Sequence, residues 1–565
     1  MLALSLIEGR TVKHTRRTQA GALLAATTLL GLCTACAGQT EQSGDTQAIT
    51  YLEPNWFTSL YPPAAGFYPN GGVVNQITDR LLYQDPETLE LHPWIATKLP
   101  EINEDATVYT FDIRTDVTYS DGSPLTAENV VANFDLYGKG DKERLLNASE
   151  QISNYDYGEV IDEDTVRFHF TAPSPGFAQA VSVYNAGLLS DATLALDNES
   201  FGPGSAHNVI GSGPFVIAGE ELGTSIELRA REDYDWAPPI LEHQGRARLD
   251  SVTYRLAAEE AMRTGAVLSG QADIVRDVTA SAERHLQDRG VQIVSRGTNA
   301  MNNQIAMRPQ HPYLQDIRVR RAITHSVDRE ELLRILFSDS YPLATSSVAA
   351  TGLGYKNQGD AYTYDPELAR QLLDEAGWVV GGDGIRVKDG ERLHLTVNYA
   401  QTQPRAREVM TMVQSYLRDI GIELSILSGD RSTQNVASKD PDKVQLYHTM
   451  VGRADYDAIE SHYAVGRRDS FINQDENDNV IDQHLEDLLQ TVVSTPDDTG
   501  RARAVEAVQD YVTEQAYTLP LFEEPQVYAL SPRLCGFSVE SVARPALYSA
   551  YLQEGDTPCR TSSNG

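Results

Sequence analysis

Basic residues are scarce in this chain: 46 Lys and Arg stand against 80 Asp and Glu, a formal net charge of −34. Nucleic acid and anionic lipid headgroups both need a basic face, so neither is expected as a partner. An acidic surface facing salt, or a cationic ligand, fits this sign. Long hydrophobic runs are equally short in supply. The longest stretch, Gly21–Leu32, falls short of the roughly 20 residues that a membrane-spanning helix needs. Catalytic signatures are missing too: there is no Gly-x-Ser-x-Gly elbow and no His-Glu-x-x-His helix. The 12 histidines are scattered, with no two at helical i, i+4 spacing. The run Val209–Ile217 is Gly-rich but lacks the Gly-Lys-Ser/Thr end of a phosphate loop, and Asp475 opens a calcium-like loop in which Val480 stands where glycine is needed. No enzyme, metal site or cofactor is expected.

What is present describes an ordinary globular protein, 565 residues with 41% hydrophobic and 8% aromatic content, enough for two to four domain-sized units. Residues 1–36 read as a targeting segment, with Arg10, Lys13, Arg16 and Arg17 before the apolar run. Leu-Cys-Thr-Ala-Cys ends it and resembles a bacterial lipobox with Cys36 as the acylated residue. Cys33 holds the position where a branched residue is usual. Cleavage before Cys33 instead would leave bulky Leu32 at the scissile position. Residues 37–47, small and polar, make a flexible tether. Cys535 and Cys559 then remain, and outside the cytoplasm they are expected to close a disulfide, two free thiols being the alternative.

Along the chain, the loudest stretch is Tyr109–Asp135. Val108–Ile113 and Val117–Tyr119 alternate as strands, Asp121-Gly122 turns the chain, and Thr126 caps a helix. Thr165–Phe170 alternates strictly, with His169 as a structural strand histidine. Gly71–Tyr83 and Asp316–Phe337 have helical spacing. Asp365–Ala376 has Asp365 at the N-cap, Pro366 at the first helical position and Gly377 just past the end. Arg405–Ile420 and Thr499–Gln515 read as helices, and Leu519–Tyr528 as a strand. Helices alternating with short strands argue for α/β lobes.

These segments resemble one family, the extracytoplasmic solute-binding proteins of ABC importers that include oligopeptide-, dipeptide- and nickel-binding members. SLYP at Ser59–Pro62, FDIRTDVTYSDGSPLTAENVV at Phe111–Val131 and GSGPFVI at Gly211–Ile217 come in the family's order. ELRAREDYDW at Glu227–Trp236, DIRVRRAITHSVDREELL at Asp316–Leu333 and YDPELARQLLDEAGW at Tyr364–Trp378 follow. IGIEL at Ile420–Leu424, ADY at Ala454–Tyr456 and LPLF at Leu519–Phe522 complete the series. The resemblance implies an α/β type II periplasmic-binding-protein fold, two hinged lobes with an additional inserted domain. Domain I would comprise 48–72, 206–296 and 525–565, domain II 73–205, and domain III 297–524, with hinge crossings near Ser295–Asn303 and Leu519–Glu524.

The same resemblance implies ligand contacts. Asp455, in the Ala-Asp-Tyr segment with Tyr456, would pair with a ligand α-amino group. Arg453 would either clamp a ligand carboxylate or neutralise Asp455. Phe67, Tyr68, Asn302, Asn303, Phe522 and Glu523 would line the cleft, with Glu524 beside them and Trp56 and Glu53 as weaker candidates. The expected function is a lipid-anchored, monomeric binding subunit on the extracytoplasmic face of the cell membrane. It would capture a peptide or peptide-like solute and deliver it to an ABC permease and its ATPase. A nickel chelate, opine, sugar or siderophore-like solute is the alternative in the same class. A secreted hydrolase and a lipoprotein sensor are the alternatives outside it.

Overall fold

A computed structural model describes residues 47–467, 470–553 and 559. The leader, Cys36 and all of the tether but Gln47 lie outside the described residues. At the centre of a seven-stranded sheet, Ala48–Glu53 pairs in parallel with Ser251–Leu256 on one side and Ile274–Arg276 on the other. Ser225–Ala230 and Phe215–Glu221 extend the sheet antiparallel at one edge, and Pro525–Leu530 and Gln292–Gly297 at the other. Strand alternation sends Ile49 and Tyr51 into one apolar cluster and Leu52 into another, so both faces of the sheet are covered.

A five-stranded sheet takes the order Glu423–Ile426, His394–Val397, Leu446–Val451, Met301–Met307, Thr518–Phe522. The chain passes between the two sheets twice, from Gly297 to Met301 and from Phe522 to Pro525. The two passages are tied together where Thr298 donates its N–H (3.2 Å) and its hydroxyl (3.0 Å) to the Glu524 carbonyl. Asn299 and Ala300 next to it hold left-handed φ values of 57° and 56°, a conformation that costs an alanine about 1–2 kcal/mol.

A four-stranded antiparallel sheet, Glu101–Ile102, Val108–Asp112, Thr165–Phe170 and Tyr155–Asp162, carries the helix Ala127–Lys139. Alternation buries Tyr109, Phe111, Val166 and Phe168 on the helix side, where Phe134 meets Phe168 edge-on at 5.0 Å. His169 faces the other way and stacks on Tyr157 at 4.4 Å, as a strand histidine should. Cys535 and Cys559 are joined in a disulfide with Cα atoms 5.5 Å apart. Among the described residues no helix is long and apolar enough to cross a membrane.

Four sequence-based expectations need correction. Val117–Tyr119 is not a strand; it makes a single bridge, Thr118 to Pro124, because the turn at Asp121 returns the chain at once. Asp316–Phe337 is two helices, Ile317–Ser326 and Arg329–Leu336. Asp328 breaks it by turning its carboxylate onto the Glu331 N–H (2.8 Å), capping a second helix inside an unbroken periodic pattern. Gly71–Tyr83 is helical only as part of Tyr68–Ile77 and then runs extended into Leu82–Gln84. The glycine at 71 is required there because the Arg544 side chain occupies the space of a Cβ. Leu519–Tyr528 is two strands in different sheets, interrupted where Glu523 and Glu524 cross.

Thr126 caps its helix by accepting the Asn129 N–H. Thr126→Ala is expected to cost about 1 kcal/mol of unfolding free energy, read from the denaturant midpoint at unchanged m-value.

Candidate functional site

The segment Gly452–Asp457 leaves the strand Leu446–Val451 and enters a place where distant parts of the chain meet. The Ala454 carbonyl accepts from Gln84 Nε2 at 2.9 Å, and Ala454 packs against Leu89 and Val542. Arg501, fully buried on the helix Asp498–Glu514, donates to Asp457 (2.5 Å) and to the Pro175 carbonyl (3.2 Å). Its guanidinium also covers the Tyr456 ring at 4.7 Å. Gly176 touches this corner so closely that a Cβ would run into the Asp457 carboxylate.

Arg453 and Asp455 form a buried two-bond pair, Nε to Oδ2 at 2.8 Å and Nη2 to Oδ1 at 2.9 Å. Burial pulls the Arg453 guanidinium down, but Asp455, and behind it Asp457 and Glu460, more than offset this and hold it above its usual value. Arg453 also lines a cavity of about 310 Å³, at the small end of the range for ligand pockets. Phe170, Gly176 and Phe177 supply one wall of that cavity, Asp457, Glu460 and Arg467 the other. Arg467 pairs with Glu460 at 2.8 Å, while burial raises the Glu460 carboxyl against that cation.

A separate cluster, outside the lining of that cavity, is aromatic and cationic. The Tyr68 hydroxyl donates to the Val542 carbonyl at 2.7 Å, and its ring lies between two guanidinium groups, Arg276 at 5.1 Å and Arg544 at 4.4 Å. Arg276 is saturated by Glu53 and by Gln526 at 2.9 Å. Arg544 sits 3.8 Å over the Tyr184 ring and donates to the Gly66 carbonyl at 2.7 Å. Phe67 flanks the helix here as its N-cap, and Trp56 is half-buried against Phe57 with its indole N–H unpartnered.

The remaining candidates belong to the crossings. Asn302 donates to the Ser346 carbonyl at 2.9 Å, Phe522 packs on Phe337 at 4.7 Å, and Glu523 accepts the Ala350 N–H at 3.0 Å. Burial raises the Glu523 carboxyl. Asn303 stands in a row of side chains. His448 Nδ1 accepts the Ala400 N–H (3.2 Å), so its Nε2 carries the proton and donates to Asn303 Oδ1 (2.5 Å). Asn303 Nδ2 in turn donates to Glu524 at 3.2 Å, and the Gln403 amide lies within hydrogen-bond reach of both Glu524 oxygens. Burial pulls His448 down to about 3 and pushes Glu524 up to about 8.

Thus Arg453, Asp455 and Tyr456 share one segment, while Tyr68 is held by Arg276, Arg544 and the Val542 carbonyl, Phe67 is the N-cap of its helix, and Trp56 packs on Phe57. Asn302, Asn303 and Phe522 are spent on internal contacts at the crossings. Sequence reasoning passed over Tyr184, Arg276, Arg501, Arg544, His448 and Gln403. Their one available signal was that basic residues are few, so a lone arginine in an aromatic or apolar setting stands out. Among the described residues no group of three or more His, Cys, Asp or Glu is placed to hold a metal ion.

Residues 90–467 match the family model for bacterial extracellular solute-binding proteins, family 5, and the chain belongs to that family. The glutathione-binding protein GsiB of Escherichia coli K12 is 22% identical over 493 residues, covering 85% of this chain and 90% of GsiB. NikA from Brucella suis, solved with Fe(III)-EDTA, superposes with a TM-score of 0.75 at 22% identity, over 90% of this chain and all of NikA. The oligopeptide-binding protein AppA of Bacillus subtilis, solved with a nonapeptide, gives a TM-score of 0.70 at 20% identity with the same coverage, 90% and 100%. The fold is therefore the α/β type II periplasmic-binding-protein fold. The family consists of extracytoplasmic substrate-binding proteins that work with ABC permeases and bind small molecules or peptides; they are not enzymes.

The raised Glu524 carboxyl has a measurable consequence. Native protein keeps a proton on Glu524 up to about pH 8, whereas the unfolded chain releases it near 4.5, so this group lowers stability as pH rises between the two. Glu524→Gln removes that dependence. The melting-temperature difference between variant and parent is expected to move in the variant's favour from about pH 5 to about pH 8 and then level off. A pH-independent difference in scanning calorimetry would show that the group titrates normally.

Proposed function

We propose that this chain is the lipid-anchored substrate-binding subunit of an ABC importer and that its solute is a peptide or a peptide-like molecule. Cys36 carries the anchor, the folded part works as a monomer on the extracytoplasmic face, and delivery is to a membrane permease with its ATPase. Domain I (48–72, 206–296, 525–565) and domain III (297–524) are the closing lobes, with domain II (73–205) inserted. The observation that carries this reading is the meeting point at Gly452–Asp457. One segment there accepts from Gln84, packs on Val542 and is linked to Pro175 through Arg501, while holding a buried charged pair. Shifting an open–closed equilibrium from about 1:99 to 99:1 takes roughly 5.5 kcal/mol of differential affinity, so the decisive contacts must exist only when the lobes are closed. Charged side chains in a dry corner supply contacts of that strength. The peptide-binding names among the similar proteins, GsiB and AppA, support the solute class.

Native mass spectrometry of the purified protein, followed by identification of whatever leaves on denaturation, tests the reading directly. A peptide-like solute is the expected result, and a sugar or a metal chelate would replace it with the alternative. Asp455→Asn is expected to weaken binding of that solute at least tenfold in titration calorimetry, and unchanged affinity would remove Asp455 from the site. Intact-mass analysis of the mature protein is expected to show an acylated N-terminal Cys36 and two fewer hydrogens than the reduced form, the mark of the Cys535–Cys559 bridge.

A further inference from the structure

The ion pairs around the cavity of about 310 Å³ are not equally free to open. Arg453 bonds Asp455 twice, and both are buried. Asp457 is held by Arg501, whose side chain has no exposure at all. Glu460 and Arg467 differ from these. Both line the cavity, but the carboxylate side chain is 5% exposed and the arginine side chain 37%. Arg467 Nε (2.9 Å) and Nη2 (2.8 Å) both fall on Glu460 Oε1, so Oε2 takes neither bond.

That asymmetry decides what the pair can exchange. An arginine already partly in water loses little by swinging further out. The carboxylate cannot follow, because it is fixed inside the wall on the helix Ala458–Tyr463, and a buried charge left without its partner is costly. A neutral solute that displaced Arg467 would therefore strand Glu460, and an anionic one would add a like charge beside it. Only a cation returns what Arg467 gives up. The rest of the lining suits a cation on an apolar stem. Phe170 and Phe177 offer aromatic surface, and Glu150 adds a further carboxylate. The volume is at the small end of ligand pockets and suits one side chain better than a whole peptide. A net charge of −34 favours the approach of cations.

Resting on the reading of this chain as a solute-binding protein, we propose that the cavity between residues 150–177 and 453–493 is a pocket for a cationic side chain of the solute. Glu460 is its receptor, and Arg467 occupies the place that the solute's guanidinium or ammonium takes on binding. This charge is separate from the α-amino group that the family resemblance assigns to Asp455.

Two peptides that differ in one charge test this. Ala-Arg-Ala and Ala-citrulline-Ala have nearly the same shape and the same termini, but a neutral urea replaces the guanidinium in the second. In titration calorimetry the arginine peptide is expected to bind at least tenfold tighter. Glu460→Gln is expected to remove that preference. Arg467→Gln takes away the internal competitor and is expected to strengthen binding of the arginine peptide several-fold, whereas loss of a residue that merely builds the wall would weaken it. The double variant Glu460→Gln/Arg467→Gln strands no charge. It is expected to keep the parent's melting temperature within a few degrees while binding the two peptides equally. Equal binding by the parent overturns the proposal. So does a preference that survives in the double variant, or an Arg467→Gln protein that binds the arginine peptide no more tightly. If neither peptide binds while native mass spectrometry finds another solute, the cation pocket is refuted and the solute-binding reading stands. If no solute of any kind binds, both are refuted.

Discussion

The two large sheets of this molecule are joined by two short passages of chain. Gln292–Gly297 and Pro525–Leu530 pair antiparallel at one end of the seven-stranded sheet, and their continuations, Met301–Met307 and Thr518–Phe522, pair antiparallel in the five-stranded one. The passages therefore run side by side, with 298–300 next to Glu523–Glu524. Both N–H and hydroxyl of Thr298 fall on one carbonyl there, and two successive non-glycine residues hold left-handed φ. Backbone strain of this sort persists only where surrounding contacts over-determine it. The neighbouring hydrogen bonds of Asn302, Asn303 and Glu523 are those contacts.

The charge balance also reads differently once the interior is known. The cations that do go inside are arginines, with Arg80, Arg276, Arg320, Arg329, Arg453, Arg501 and Arg544 among those buried, while no lysine is buried among the described residues. A planar guanidinium can be saturated by carbonyls and carboxylates around its rim and stacked on a ring, which a compact ammonium cannot. Arg329 shows the first mode, with bonds to the Ala344, Pro520 and Tyr362 carbonyls. Arg544, between Tyr68 and Tyr184, shows the second. The net charge of −34 is set by composition, and several of the few cations hold the interior together instead of offsetting the acids at the surface.

Local signals were legible in the sequence wherever one residue acts on its own turn. Asp365 accepts the Leu368 N–H and Thr126 the Asn129 N–H, as their spacing indicated. Asp328 caps in the same way but was hidden, because the apolar pattern runs on through Val327 and only the backbone shows the break. For the site, the Arg453–Asp455 pair could be read because its members are neighbours. Gln84 against Ala454 could not, because 370 residues separate them and neither residue type announces a partner. The same holds for Arg501 and Pro175, joined only when the chain has closed over more than half of its length.

One further consequence concerns which groups at the crossing are free to respond to pH. His448 has both ring nitrogens committed, one accepting the Ala400 N–H and the other donating to Asn303, and burial keeps it neutral down to about 3. With the ring fixed, the Asn303 amide is fixed as well, its oxygen toward His448 and its nitrogen toward Glu524. The row therefore does not relay protons across the physiological range; it orients a donor at its end. Glu524 is the one member that changes charge there, near 8. It is also the residue whose carbonyl takes both Thr298 bonds, so the carboxyl that titrates and the carbonyl that ties the passages belong to one residue. Ionising it places a negative charge among neutral amides, with the nearby Asp277 opposing and Arg276 favouring that charge. Arg276 is already held by Glu53, so the field it can offer Glu524 is largely spoken for, and burial decides the outcome.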